Sequence, residues 1–214
     1  DEDRSNALLF LHAFSGCDVT SSFRGIGKKT VWSAWSNYPE FTATFTEATM
    51  NPEHLTIDSP LFRSLEEFTV LLYSKQCQEK TVNGAPQELF TQGTKTLENL
   101  PPSQAALFQH TKRAALITAI WKNATQPSMP RFDYSEWGWK WDAKLKQWTP
   151  HWTTLSDASQ GCNMLLHCGC KTTCKVSNFE CRCCVFFIIV HSIPGKLQMF
   201  QSWPSLWAHM PMPR

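Results

Sequence analysis

Apolar residues fall into blocks along the chain, and the spacing inside each block predicts an element. "ALLFLHAF", Ala7 to Phe14, is nearly continuous and too short for its period to choose between helix and strand; we read it as a buried helix closed by Gly16. After the Gly-Ile-Gly turn, "KKTVWSAW" sets Val31, Trp32 and Trp35 at helical spacing and predicts a second helix that ends before Pro39. The two blocks together read as helix, glycine hairpin, helix. Tyr38 to Pro60 is rich in Thr, Asn and Pro and reads as a connection holding at most a short helix near "FTATF". "LFRSLEEFTVLLYSKQ" then puts Leu61, Leu65, Phe68 and Leu72 on one stripe with Arg63, Glu66 and Glu67 off it, the pattern of an amphipathic helix. A loop is expected around Gly84 and Pro86.

"PPSQAALFQHTKRAALITAIWKNA" is the clearest helix: Ser103 is placed to cap it, and Leu107, Phe108, Ala115, Ile117 and Ile120 run through it. Lys112 and Arg113 inside it read as a solvated face, with phosphate contact as the sharper alternative. "WGWKWDAKLKQWTPHW" changes the period to two: Trp137, Trp139 and Trp141 alternate, a polar turn follows, and Trp148 and Trp152 alternate again. That is a two-stranded hairpin with a tryptophan face. Such indoles form either a small aromatic core, the default for large aromatics, or a stacking platform for single-stranded bases or a sugar.

The blocks group into a helical region over 1–125 with the helix-hairpin-helix at 8–35, a Trp-rich hairpin over 126–156, a cysteine-rich segment over 160–184 and an atypical tail over 185–214, expected to be disordered. With 214 residues, 42% of them hydrophobic, a folded core is expected. The formal charge of +2, from 20 basic and 18 acidic residues, excludes the strongly basic class, so any nucleic-acid contact must be local. "VFFIIV", Val185 to Val190, is far shorter than the roughly 20 residues a spanning helix needs, so no membrane partner is expected. The chain opens at Asp1 without a basic segment leading into an apolar one, and it reads as a fragment without a signal peptide.

The glycine hairpin carries the candidate chemistry. Amides at a helix N-terminus with flanking lysines attract phosphate oxygens. Gly25 and Gly27 would let a nucleic-acid backbone approach Ile26 and its neighbours, while Arg24, Lys28 and Lys29 would supply charge. The plain alternative is a corner that uses glycine for its backbone angles. Asp18, seven residues before Gly25, is either a metal ligand or the residue that turns the chain.

"SGCDVTSSFRGIGKKT" resembles the segment of flap endonucleases and their structure-specific 5′-nuclease relatives in which Gly-x-Asp is followed by a Gly-Ile-Gly-x-Lys hairpin. The resemblance implies that Asp18 is one catalytic ligand of divalent metal, Mg2+, and that Gly25 to Lys29 grip duplex DNA, with hairpin carbonyls holding K+. The order of "LHAFSGCDVTSSFRGIGKKTVWSAW", "LPPSQAALFQHTKRAA", "WGWKWD" with "WTPHWTTLSDAS", and a cysteine-rich end also resembles a set of animal proteins derived from mobile elements. The implied fold is mainly α: the helix-hairpin-helix region of a PIN-like, 5′-nuclease-like α/β domain whose sheet half lies upstream. A nuclear location is implied as well. Two-metal phosphodiester hydrolysis needs several converging carboxylates, and only Asp18 matches here. Asp1, Glu2 and Asp3 read as an exposed terminus, so this chain by itself is expected not to cleave.

Seven of the nine cysteines crowd into "CNMLLHCGCKTTCKVSNFECRCC". Thiolates so spaced suit tetrahedral Zn2+. Cys168, Cys170, Cys174, Cys181 and Cys183 resemble the start of the tesmin-type CXC module, without its later cysteines. At most one zinc site is expected, with Cys162, Cys184 and His167 as further ligands. Without metal this segment would stay disordered or oxidise.

The expected function is a nucleic-acid-binding fragment that contacts DNA phosphate without reading sequence. Two alternatives stand beside it: a metal-dependent structure-specific nuclease when completed by upstream sequence, and a protein-interaction module without DNA binding.

Overall fold

The computed structural model describes residues 2–91, 100–128, 130–151 and 153. The cysteine-rich segment with Cys162, His167, Cys168, Cys170, Cys174, Cys181, Cys183 and Cys184, the tail over 185–214, and Trp152 lie outside the described residues.

The described chain is mainly helical. Its first block is the helix α1 (Glu2–Phe14). Ala7, Phe10, Leu11 and Phe14 are buried at i, i+3, i+4 and i+7, the stripe by which a helix faces a core. Glu2 and Asp3 in its first turn favour the positive end of the helix dipole. α2 (Lys28–Asn37) buries Val31, Ala34 and Trp35, and the Trp35 indole N–H donates to Thr42 Oγ1 at 2.9 Å.

The Tyr38 to Pro60 segment carries the helix expected near "FTATF", extended to ten residues. This helix, α3 (Phe41–Met50), packs on α1. Thr is a mediocre helix former, which obscures how far this helix runs beyond "FTATF". Phe41, Phe45, Ala48 and Thr49 nevertheless line a buried face. The Thr46 and Thr49 hydroxyls donate to the backbone carbonyls of Asp3 and Asn6, joining the two helices. A short 3-10 turn over Pro52–His54 follows.

α4 (Pro60–Tyr73) starts at Ser59, whose hydroxyl accepts from Phe62 N–H at 3.1 Å, with Pro60 in the first helical position. Its predicted stripe is buried, and so is Glu66, which the periodicity placed off the stripe. Glu66 is covered because α6 lies against this side, and its carboxylate accepts from Gln104 Nε2. Burial raises its pKa, opposed by the hydrogen bonds from Gln104 and the Val82 backbone. Gly84 lies in the expected loop, and Pro86 stands just beyond it in the first turn of α5 (Ala85–Thr91).

α6 (Gln104–Lys122) is capped by Ser103 and is buried around most of its circumference. It packs on α1 and α4 on one side and supports the hairpin on another. Phe10, Phe45, Phe68 and Phe41 run through the core as a chain of ring contacts, with centroids 6.2, 4.9 and 5.1 Å apart.

The hairpin is antiparallel, β1 (Trp139–Asp142) with β2 (Gln147–Pro150), and Trp141 faces Trp148 in register. The alternation begins one tryptophan later than expected: Trp137 ends a 3-10 turn, and Gly138 at φ +78° redirects the chain into β1. Trp139 is buried, while Trp141 and Trp148 meet edge to face at 5.6 Å and Tyr134 covers Trp148 at 5.4 Å. These indoles form a small aromatic core, not an open platform. Trp148 Nε1 is buried and has no hydrogen-bond partner among the described residues.

Candidate nucleic-acid interface

The segment between α1 and α2 is built by three local devices. Ser15 ends α1 by donating from its hydroxyl to Leu11 O at 2.7 Å, and Gly16 takes φ +97° just beyond it. A Cβ on Gly16 would stand 2.6 Å from Ser22 Cβ, so the chain folds back closely on itself here. Cys17 and Thr20 exchange backbone hydrogen bonds of 3.2 and 3.3 Å, which puts Asp18 at the tip of a tight turn. Thr20 Oγ1 holds that turn to α1 through the Ala13 carbonyl at 2.6 Å. Finally Ile26 N–H donates to Phe23 O at 3.1 Å around Gly25, whose φ of +74° is that of the third residue of a type II turn.

This arrangement separates inward from outward residues. Phe23 is buried, 5.2 Å from the rings of both Phe14 and His110, and Ile26 packs against the core. Asp18, Arg24, Gly25, Gly27, Lys28 and Lys29 are exposed. Gly27 is the residue before α2, with extended backbone at φ −91° and no side chain to cap the helix. Thr30 and Val31 N–H both donate to Gly27 O, and the N–H groups of Lys28 and Lys29 have no partner among the described residues.

Though exposed, Lys28 turns its ammonium back onto α1. Its ammonium donates to His12 O and Ser15 Oγ, at the C-terminus of α1, where a cation is favoured. Burial lowers its pKa, against the influence of Cys17. Two of its three N–H donors are thereby engaged. His12 lies beside it, its pKa lowered by burial and by Lys28 and raised by Asp18.

A residue that sequence did not single out fixes the whole segment. His110 on α6 is buried, with Nε2 2.7 Å from Phe14 O and Nδ1 3.1 Å from Ser21 Oγ. Because a carbonyl can only accept, Nε2 carries the proton and Nδ1 accepts from Ser21. Burial and the neighbouring Arg113 hold the ring neutral, with a pKa pushed down to about 4. Arg113 itself corrects the expectation of a solvated face: it is buried and donates to Gly138 O at 3.0 Å, joining α6 to the hairpin. Lys112 lies half-buried with its ammonium 5.0 Å from the Phe108 ring centre.

Asp18 stands apart from other acids. Glu2 and Asp3 occupy the opposite end of α1, roughly 17 Å along the axis at 1.5 Å per residue. Among the described residues no group of three or more His, Cys, Asp or Glu converges in a way that would hold a metal ion. Asp18 alone does not fit the donor set of a two-metal centre. The Gly25 and Ile26 carbonyls accept no hydrogen bond among the described residues and are the oxygens a K+ ion at this turn would use. Cys17 and Cys77 are free thiols. Among the described residues no helix is long and apolar enough to cross a membrane.

No protein-family model, curated protein or solved structure matches this chain.

Proposed function

We propose that the turn from Arg24 to Lys29 is a nucleic-acid contact that holds backbone phosphate without reading base sequence. The carrying observation is the N-terminus of α2: it has no side-chain cap, the N–H groups of Lys28 and Lys29 are unengaged among the described residues, and Lys29 is exposed beside them. Helix-terminal amides with an adjacent ammonium suit a phosphate oxygen on both charge and hydrogen bonding. The resemblance of Asp18 to Lys29 to the hairpin segment of flap-type 5′-nucleases supports this reading and its PIN-like ancestry. In that reading DNA is the partner, the nucleus is its place, and the chain is the binding part of a mobile-element-derived protein. Cleavage by a longer parent would need acids to join Asp18 and Mg2+, and zinc at Cys168 to Cys183 would belong to the CXC-like end.

The turn-back of Lys28 onto α1 favours a second reading, a protein-interaction module whose glycine turn is a packed corner.

Gly27→Asp separates the two. An aspartate there would cap α2 and raise stability by a few tenths of a kcal/mol, while placing a carboxylate where the phosphate would sit. In a fluorescence-anisotropy titration against labelled duplex DNA at two salt concentrations, the wild type is expected to bind with a salt-dependent affinity. Gly27→Asp and Lys29→Glu are expected to abolish that binding with the fold intact. A folded wild type that does not bind at low salt would overturn the reading in favour of the interaction module.

A further inference from the structure

Two complementary surface features stand on the same molecule, a groove and a knob. The groove lies between α1 and α2 and has a volume of about 300 Å³. Leu8, Leu11, Val31 and Trp32 form its apolar floor, where Trp32 retains 50% of its exposure and Leu8 44%. Trp32 is held in place by the buried Trp35, which its ring meets edge to face at 5.3 Å. The charged lining is Lys28 and Lys29, with no carboxylate. Arg4 adds a third cation beyond Trp32, 5.3 Å from the centre of the Trp35 ring.

The knob is the turn from Thr56 to Ser59. Ser59 N–H donates to Thr56 O at 3.1 Å, and the Ser59 hydroxyl donates to the same carbonyl at 2.7 Å. Ile57 and Asp58 are the two central residues of this braced turn, and both are exposed, Ile57 at 40%. Glu53, four residues before Ile57, is exposed as well. Neither Asp58 nor Glu53 forms an ion pair among the described residues. A stiff β-branched side chain at the apex of a fixed turn loses little freedom on docking.

A cationic rim by itself would accept any anion, and an apolar floor any apolar group. The knob supplies both together, an apolar side chain for the floor and carboxylates for the lysines. It stands across α1 from the groove of its own chain. Asn6, whose carbonyl accepts from Thr49 of α3, and Leu8 of the groove are two positions apart, about 200° around α1. α3 and the turn that follows it thus lie on the opposite flank of α1, and the pairing is between copies.

We propose that copies of this chain associate head to tail, with Ile57 of one copy seated on Leu8 and Trp32 of the next and Asp58 paired with Lys29 there. Such a contact is heterologous: a pair still has one unused knob and one unused groove, so association continues into open chains or closes into a ring. The contact is small and belongs to the weak, transient class. Being partly electrostatic, it weakens with salt. It stands apart from the phosphate-holding reading, which concerns DNA and is not needed for it.

The test is sedimentation equilibrium of the full chain in reducing buffer, without DNA, from roughly 10 µM to 1 mM, the span of weak association. The average mass of the wild type is expected to rise above the monomer value with concentration, and to rise less at high salt. Ile57→Asp removes the knob and Trp32→Ala the floor of the groove, with thermal melts to show that each is folded and Lys29→Glu as a second groove variant. Each variant alone is expected to stay monomeric. Mixed in equal amounts, Ile57→Asp still offers a groove and Trp32→Ala or Lys29→Glu a knob, so the mixture is expected to form a dimer and nothing larger. Adding Asp58→Lys to the Lys29→Glu chain is expected to recover self-association; no recovery would remove the Lys29 to Asp58 pairing. A wild type at the monomer mass throughout, a variant that assembles as the wild type does, or a mixture that stays monomeric would each overturn the proposal and leave the groove to a different partner.

Discussion

The ammonium of Lys28 closes the C-terminus of α1 by donating to the carbonyl of His12, sixteen residues earlier in the chain. Of two adjacent lysines, one is therefore structural and the other free to meet a ligand. Lys28→Met keeps the aliphatic stem and removes the charged donors to His12 and Ser15. It should lower unfolding free energy by about 1 kcal/mol, the scale of a partly exposed charge at a helix terminus. Lys29→Met should leave stability within about 0.5 kcal/mol, as for an ordinary surface change, and should cost more in DNA affinity. Urea denaturation and anisotropy on the same preparations would read both effects; equal stability losses would show that the Lys28 tether contributes nothing.

The glycines of the turn are not equivalent. Gly16 is at φ +97° and its missing Cβ would overlap the Ser22 Cβ and backbone, whereas a Cβ on Gly27 would meet nothing within 4 Å. Gly16→Ala should destabilise by at least about 2 kcal/mol, combining left-handed strain with a steric shift. Gly27→Ala should change stability by no more than about 0.5 kcal/mol, since reduced unfolded-state freedom offsets a poorer cap. Chemical-denaturation midpoints in the reverse order would show that the turn is held differently.

His110 makes the turn sensitive to acid. Its folded pKa of about 4 lies below the ordinary value of 6.5, so between these values the unfolded chain binds more protons than the folded one. The contribution to stability is complete above the upper value and is lost as pH falls toward the lower one, by on the order of 3 kcal/mol. His110→Gln, which can still donate to Phe14 O, should flatten this part of the stability–pH profile. Denaturation curves between pH 7.5 and 4, compared for wild type and variant, check it; parallel profiles would mean His110 titrates normally.

Gly138 joins the tryptophan hairpin to α6. It sits at φ +78° with its missing Cβ 2.7 Å from Gln109 O, and its carbonyl accepts from Arg113 and from His151 N–H. Gly138→Ala should undock the hairpin at a cost of about 2 kcal/mol or more, exposing Trp139. Faster proteolysis within 139–151 and loss of near-ultraviolet circular dichroism are the expected signs; unchanged proteolysis would count against this junction.

Much of the secondary structure is local chemistry and was legible as such. The spacing of Leu61, Leu65, Phe68 and Leu72, the Ser103 cap, the two-residue period around Trp139 and Trp141 and the glycine turn at Gly25 each depend on a few neighbouring residues. α3 was legible only as a short helix near "FTATF" because its threonines argue weakly for helix, and the burial of Phe41 and Phe45 against α1 and α4 outweighs that propensity. The groove beside Trp32 had no sequence signal either, since a tryptophan at helical spacing reads as core until one sees that nothing in α1 covers it fully.

By itself the sequence determined the helices α1, α2, α4 and α6 with a short helix before α4, the turn that places Arg24 to Lys29 at a helix N-terminus, and the hairpin that follows α6. The tertiary structure alone decided which polar groups are inside: Glu66 against Gln104, Arg113 against Gly138, and His110 against Phe14, ninety-six residues away. It also decided that the Lys28 ammonium bonds back to α1. The physical reason is range. Periodicity and turn preference act between residues a few positions apart, whereas the partner of a buried charge or the end point of a long side chain is set by whichever distant segment packs over it.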